Sequence, residues 1–365
     1  MSNKITIAFL LTVVSKRGGI SRVTSILTDE LERTGLYDIH IISYSTIDEN
    51  GYNWNENLNY HTLLGEKMSM KKGLLKSIPK LRTILSKNNI TTLIAAGSIV
   101  GPLGVFSTLF NKTKLIYWSH SSFRGSANNK YRLINEQFTA IFSKHLISLT
   151  KEDKKNYKNS TLAKNVCQIY NAIDSELLKQ NISYNSESNK IISVGRLTYQ
   201  KNFEGLIDVA NELSKQNNDF VWDIYGSGEN EKMLLAKIKE NNLENKIFLK
   251  GQSNNLYNLY NDYCMMVMTS RYEGFPMSLI EGLACKLPLV SYDIPTGPNE
   301  IIRDDINGFL IEPFNKENMA DKINVLLRDS AKRSFFSENN ENYIDEYKME
   351  YILKKWNDLL IELDR

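Results

Sequence analysis

Short, nearly continuous apolar runs recur along this chain with amphipathic stretches between them, and that alternation restricts the fold more than any other feature. KITIAFLL, DIHIISYS, TTLIAAG, TKLIYWSH and HLISLT read as strands in the first half, and KIISVGRL, VWDIYGSG, KIFLKG, CMMVMTS and LPLVSYD in the second. Segments with apolar residues at helical spacing, such as ISRVTSILTDELERTG and NFEGLIDVANELSKQ, lie between them. Strands that lack polar alternation are buried on both faces, and strands separated by helices pair in parallel. The pattern starts again after a polar stretch at 171–190. The expectation is an α/β chain of two doubly wound parallel sheets, with a boundary near residue 175 and a cleft between the domains. A length of 365 residues with 42% hydrophobic content suits two cores. Ligands of such sheets bind beyond the carboxyl ends of the strands, so the residues that directly follow strands are the informative ones.

Composition narrows the class. Cys167, Cys264 and Cys285 are scattered, with no pair at metal-ligand spacing, which predicts reduced thiols and a cytoplasmic protein. The four histidines form no metal cluster in sequence. The apolar run in MSNKITIAFLLTVV is followed by SKRGGISR rather than a small-residue cleavage site, and it reads as a buried first strand. No run reaches the roughly 18 apolar residues of a membrane span. The net charge of +3 hides a division. Residues 1–170 carry 23 Lys and Arg against 11 Asp and Glu, and residues 171–365 carry 22 against 31. A basic half joined to an acidic half predicts that the first half faces something anionic.

Four segments follow strands and carry chemistry. In RYEGFPMSLIEG, Glu273 and Glu281 stand eight positions apart around Gly-Phe-Pro. Pro276 is expected at the first helical position, with the amides around Met277, Ser278 and Leu279 forming an anion site at the positive helix end. Gly274 permits close backbone approach. A loop acid plus a helix-surface acid explains the spacing equally well. In SVGRLTYQK, Arg196 and Lys201 lie five apart at a strand-to-helix turn; Arg offers a planar fork to phosphate and Lys a mobile point charge, although a solvated pair has the same spacing. YGSGE, with Gly226, and KGQ, with Gly251, are weak signals that also fit plain turns.

Taken in order, GRLTYQK, GSG and EGFPMSLIE resemble the signature of the retaining GT-B glycosyltransferases of family four. PTGPNEIIRDDINGFLIEP is similar to the segment that follows in that family. IYNAID resembles the interdomain crossover, with Ala172 where glycine is usual, and KRGGISRV resembles the glycine-rich first loop. The resemblance spans nearly the whole chain and is looser in the first half. It implies the GT-B fold, two Rossmann-like domains facing across a cleft: 1–174, completed by the terminal helix 346–365, and 175–345. Arg196 and Lys201 would grip the donor diphosphate and stabilise charge on the leaving nucleotide. Glu281 would bind ribose hydroxyls, Glu273 the transferred sugar, and the amides from Phe275 to Leu279 sugar and phosphate. Gly18 and Gly19 would let the first-domain backbone approach the donor, and His120 would stand beside the sugar. No metal is required, because the Arg–Lys pair replaces it, and the chain has no Asp-x-Asp triplet. Retention is implied, through an oxocarbenium-like state with attack on the face that the phosphate leaves, or by a covalent route through Glu273.

KMSMKKGLLKSIPKLRTILSK, from Lys67 to Lys87, holds seven basic residues among Leu, Ile and Met, with Pro79 expected to start or kink a helix. It reads as contact with an anionic membrane surface through Lys71, Lys72, Lys76 and Lys80; a solvated helix packed on the first sheet is the plainer alternative. No nucleic-acid module is present. The expected activity is transfer of a hexose or N-acetylhexosamine from a nucleotide sugar, a UDP-sugar by the likeness of YDIPTGPNEII, to a lipid-linked or oligosaccharide acceptor in bacterial capsule, O-antigen or related surface glycan synthesis. The enzyme would work at the inner face of the cell membrane. The alternatives are an epimerase or phosphorylase on the same fold, or an inactive sugar-nucleotide-binding protein.

Overall fold

The structure is a computed structural model; it describes residues 4–14, 18–46, 54–126, 129–180, 183–253 and 256–365. The chain divides into two compact units, Met1–Ala172 with Met349–Arg365, and Ile173–Lys348.

Unit 1 is built on β1 (Ile5–Leu11), β2 (Tyr37–Ser43), β3 (Asn59–Thr62), β4 (Thr92–Ala96), β5 (Lys114–Trp118), β6 (His145–Ser148) and β7 (Val166–Gln168). All pairs are parallel, in the order β3-β2-β1-β4-β5-β6-β7. The central strands are apolar on both faces because helices cover both. On one face Leu81 and Leu85 of the helix Met70–Lys87 and Leu103 and Val105 of the helix Gly101–Thr108 join a core with Ala8, Leu10, Leu93 and Ala95. The terminal helix Met349–Asp364 closes on the same unit: the Trp356 ring lies 5.0 Å from that of Trp118 and 6.2 Å from that of Phe9.

Unit 2 repeats the plan with β8 (Lys190–Val194), β9 (Val221–Tyr225), β10 (Ile247–Gly251), β11 (Met265–Met268), β12 (Leu289–Tyr292) and β13 (Gly308–Ile311), in the order β10-β9-β8-β11-β12-β13, again all parallel. The ten runs read as strands are strands. β3, β7 and β13 were not read as such: NYHT and VCQ are short and border the sheet edge, and GFLI is four residues in a loop-rich segment. Pro79, expected to start or kink a helix, does not start one. It lies inside the helix Met70–Lys87, which continues through it. Gly73, Ser77, Leu81 and Leu85 are buried along one stripe of that helix, and their packing outweighs the hydrogen bond that proline cannot make.

Candidate functional site

In each sheet the strand order reverses once, between β1 and β4 in unit 1 and between β8 and β11 in unit 2. Loops leaving two such neighbours diverge to opposite faces and open a crevice at the strand ends. In unit 2 the loop after β8 carries Arg196 and Lys201, and the loop after β11 carries Glu273. The backbone ties these loops together. The Arg271 amide donates to the Gln200 carbonyl at 2.8 Å. Asn202 Nδ2 donates to the Thr269 carbonyl at 3.0 Å, and Thr269 Oγ1 to the Asn202 carbonyl at 3.1 Å.

The side chains then meet. Lys201 Nζ lies 2.7 Å from Glu273 Oε1, across 72 positions of sequence. Ser270 Oγ donates to the same oxygen at 2.7 Å, and Gln200 Nε2 to Oε2 at 3.2 Å. Glu273 is only 5% exposed. A carboxylate removed from water at several kcal/mol is retained when it is paired and fully hydrogen-bonded. Thr296 Oγ1, from the loop after β12, donates to the Glu273 carbonyl at 2.6 Å and fixes the turn from a third side. Gln200, Ser270 and Thr296 were not singled out from sequence. The first two adjoin Lys201 and the RYEGF turn, so their position was a usable signal; Thr296 had only its place after a strand.

The two cations differ from expectation. Lys201, read as the mobile charge, is the fixed one. Arg196, read as the rigid fork, is exposed and forms no ion pair among the described residues. The helix Met277–Ala284 begins one residue later than predicted, with Pro276 as its cap rather than its first turn. The Leu279 amide donates to the Pro276 carbonyl at 3.0 Å and closes that turn, so it is not an outward-facing donor. Met277 and Ser278 contribute first-turn amides, which have no partner within a helix. The Phe275 side chain is buried against Tyr347, ring centroids 5.9 Å apart. Only backbone from that residue is then available to a ligand. Glu281 is 3% exposed on this helix and accepts from Tyr260 Oη at 2.7 Å; Tyr260 gave no signal in sequence.

The glycines separate into two kinds. Gly226 follows β9 at φ +143°, and a Cβ there would stand 1.8 Å from the Gly195 carbonyl oxygen. Its hydrogen lets the GSG turn press on the turn that carries Arg196: the Leu197 amide donates to the Ser227 carbonyl at 3.0 Å, and Asn230 to Leu197 at 3.0 Å. Gly226 therefore has a packing reason independent of any ligand. Gly251 ends β10 beside it, its carbonyl accepting from the Gly226 amide at 2.8 Å. Gly18 and Gly19, after β1 in unit 1, are the opposite case. Gly18 is extended at φ 165°, Gly19 opens the helix Gly19–Arg33, and a Cβ at either would meet nothing within 4 Å. The described packing does not require glycine there.

His120 also belongs to unit 1, two residues after β5. Its ring sits 4.2 Å from that of Trp118, tilted by 53°, and Nε2 is buried with no hydrogen-bond partner among the described residues. Burial pushes the imidazole down to about 3, so it is neutral at pH 7. Lys71, Lys72, Lys76 and Lys80 are exposed on the helix Met70–Lys87 together with Leu75, which is 81% exposed. Lys71 Nζ lies 3.6 Å over the Tyr131 ring, and Lys80 Nζ donates to the Leu63 carbonyl at 3.0 Å. Among the described residues no group of His, Cys, Asp and Glu could hold a metal ion, and no helix is long and apolar enough to cross a membrane.

Comparison with known proteins gives a consistent picture. The model of the family described as glycosyl transferases group 1 matches residues 174–343. The amylovoran biosynthesis glycosyltransferase AmsD of Erwinia amylovora is 31% identical over 361 residues, 96% of this chain and 98% of that protein. An N-acetylgalactosamine-N,N'-diacetylbacillosaminyl-diphospho-undecaprenol 4-alpha-N-acetylgalactosaminyltransferase of Campylobacter jejuni is 32% identical over 235 residues, 62% of this chain and 64% of that one. Among solved structures, Anabaena Alr3699/HepE in complex with UDP and glucose superimposes with a TM-score of 0.85 at 17% identity, covering 98% of this chain and 100% of that one.

Proposed function

Because this chain belongs to the glycosyl transferases group 1 family, we propose that it moves a hexose or N-acetylhexosamine from a UDP-sugar to a lipid-linked or oligosaccharide acceptor in the synthesis of a bacterial surface polysaccharide. The observation that carries the donor half is the Lys201–Glu273 pair at the strand-order reversal of unit 2. In this reading the fixed cation meets the diphosphate of a nucleotide sugar and the fixed carboxylate meets the adjoining hexose. Lys201, together with the exposed Arg196, then stabilises the charge that grows on the leaving diphosphate. Glu273 accepts from sugar hydroxyls. Glu281, held by Tyr260, accepts from the ribose, and the Met277 and Ser278 amides receive phosphate or sugar oxygens. Retention follows if the acceptor attacks from the side that the diphosphate leaves, which a fixed cation beside the departing oxygen favours.

Unit 2 is then the donor domain, and unit 1 the acceptor domain. In this reading the glycines at 18 and 19, where a Cβ would meet nothing within 4 Å, allow close backbone approach to the substrate, and His120 offers a neutral imidazole. UDP is chosen on the likeness of YDIPTGPNEII, and it is also the nucleotide named with the Anabaena structure. The names of the Erwinia and Campylobacter relatives support a surface polysaccharide and a lipid-linked acceptor. The exposed lysines and Leu75 on one helix suit an anionic membrane surface. Charge reversal at Lys71, Lys72 and Lys76 should then abolish cosedimentation with anionic vesicles, and unchanged cosedimentation would refute that contact.

The test of the activity is nucleotide release from a panel of UDP-, GDP- and ADP-sugars, with and without an undecaprenyl-diphosphate-linked acceptor, beside Lys201→Ala and Glu281→Ala proteins. One UDP-sugar should be consumed, and both variants should lose it. Release that persists in both variants would contradict the assignment.

A further inference from the structure

The core of unit 1 contains a carboxyl that the proposed chemistry does not use. Glu136, fully buried on the helix Lys130–Phe142, accepts on Oε2 from the hydroxyls of Tyr117 on β5 and Tyr157 on the helix Lys151–Ser160. Tyr157 Oη is also 2.8 Å from Ser119 Oγ. Ser119 immediately precedes His120. Its amide donates to the Ile147 carbonyl at 2.9 Å, and its hydroxyl lies 3.3 Å from the Ser121 carbonyl. The far end of the same turn is held by Asp153, whose Oδ1 accepts from the Phe123 amide at 3.2 Å.

Side chains alternate between faces along an extended segment. Tyr117 and Ser119 accordingly point to the layer that holds Glu136 and Tyr157, while Trp118 and His120 point to the other layer. The histidine is thus set from two sides, its ring against Trp118 and its backbone by the hydroxyl chain behind it. Apolar residues of the same volume would serve stability as well as this buried polar cluster. What the hydrogen bonds converging on Glu136 Oε2 add is a single fixed geometry; Glu136 Oε1 is buried without a partner among the described residues, and the group one residue beyond the cluster is a neutral imidazole whose Nε2 is likewise unpartnered.

We propose that Glu136, Tyr157 and Ser119 form a positioning relay that fixes the turn from Ser119 to Phe123 and with it the His120 imidazole. The relay matters to turnover on the reading that His120 faces the transferred sugar.

The four histidines of the chain make this measurable by NMR of protein carrying isotope-labelled histidine, with His120→Ala giving the assignment. Tyr157→Phe and Ser119→Ala, each removing one hydroxyl, should shift the His120 ring signals and leave those of His40, His61 and His145 in place. Should Tyr157→Phe fail to fold, Ser119→Ala carries the test, since it leaves both tyrosine–glutamate bonds intact. Nucleotide release from the UDP-sugar consumed in the panel should fall roughly tenfold in kcat, with KM for the donor changed less than about twofold. It should fall no further when either change is added to His120→Ala. Glu136→Gln, which keeps an acceptor for both hydroxyls, should retain more turnover than Glu136→Ala. Unmoved His120 signals in both hydroxyl variants, or losses that multiply with that of His120→Ala, would overturn the relay. Shifted signals together with full turnover in His120→Ala would uphold the relay and overturn the role given to His120.

Discussion

At the scale of the residue, the site depends on a charge pair nearly withdrawn from water. Lys201 and Glu273 come from the loops after neighbouring strands, and Ser270 and Gln200 complete the carboxylate's hydrogen bonds. Such a pair is weak evidence of stability by itself, but removing one member leaves the other charge stranded. Lys201→Ala should destabilise unit 2 by about 3 kcal/mol, the low end for a broken buried pair because the lysine side chain is 18% exposed. It should also lower donor turnover by roughly 10²–10³. Urea unfolding and nucleotide release measure the two effects. Glu273→Gln should cost less stability, since an amide oxygen still accepts from Ser270, while leaving Lys201 unfixed. Unaltered stability in Lys201→Ala would show that the pair does not organise the loops.

At the scale of the element, turns after adjacent strands support one another. The GSG turn after β9 packs on the GRL turn after β8, with no room for a side chain at Gly226. Gly226→Ala should therefore cost about 3 kcal/mol or more, from overlap with the Gly195 carbonyl and from strain at positive φ. A large fall in the melting temperature of unit 2 is the expected result, and unchanged melting would mean that the turns do not bear on each other. This also shows where sequence reading stops. The strands were legible because β1, β4, β8 and β11 are predominantly apolar. NYHT and VCQ, bordering the sheet edge, carry no such mark. The Arg-x4-Lys and Glu-x7-Glu segments follow β8 and β11, as their sequence context suggested. The 2.7 Å meeting of Lys201 with Glu273 depends on β8 lying beside β11, and strand order is a tertiary property that local pattern does not encode. Leu279 was misread for a local reason: the turn after Pro276 closes immediately and consumes its amide.

At the scale of the whole molecule, the two units differ in what acid does to them. All four histidines lie in unit 1, and burial lowers the pKa of each: His40, His61 and His145 fall below the usual value, and His120 falls to about 3. His40 Nδ1 and His61 Nε2 are 2.8 Å apart, so the pair holds one proton between those atoms and resists a second. The unfolded chain binds protons that the fold refuses, so stability present above pH 6.5 is lost as the pH falls toward 3. Two carboxyls of unit 1 act the other way. Burial raises Asp29 to about 6 and also raises Glu136, and each favours the fold as it protonates. We predict that the four imidazoles outweigh the two carboxyls. Unit 2 has no histidine. Scanning calorimetry at pH 7 and pH 5, with hydrogen exchange assigning the transitions, should show unit 1 melting earlier at pH 5 and unit 2 little changed. An equal shift in both would contradict this account.

The central claim is that the loops after β8 and β11 of unit 2 receive a nucleotide sugar. The most direct measurement is calorimetric titration of UDP into the protein and into Glu281→Ala, with folding of both checked by circular dichroism. The account predicts saturable binding of UDP to the protein and a large loss of affinity in the variant. Binding to neither, or equal binding to both, would contradict it.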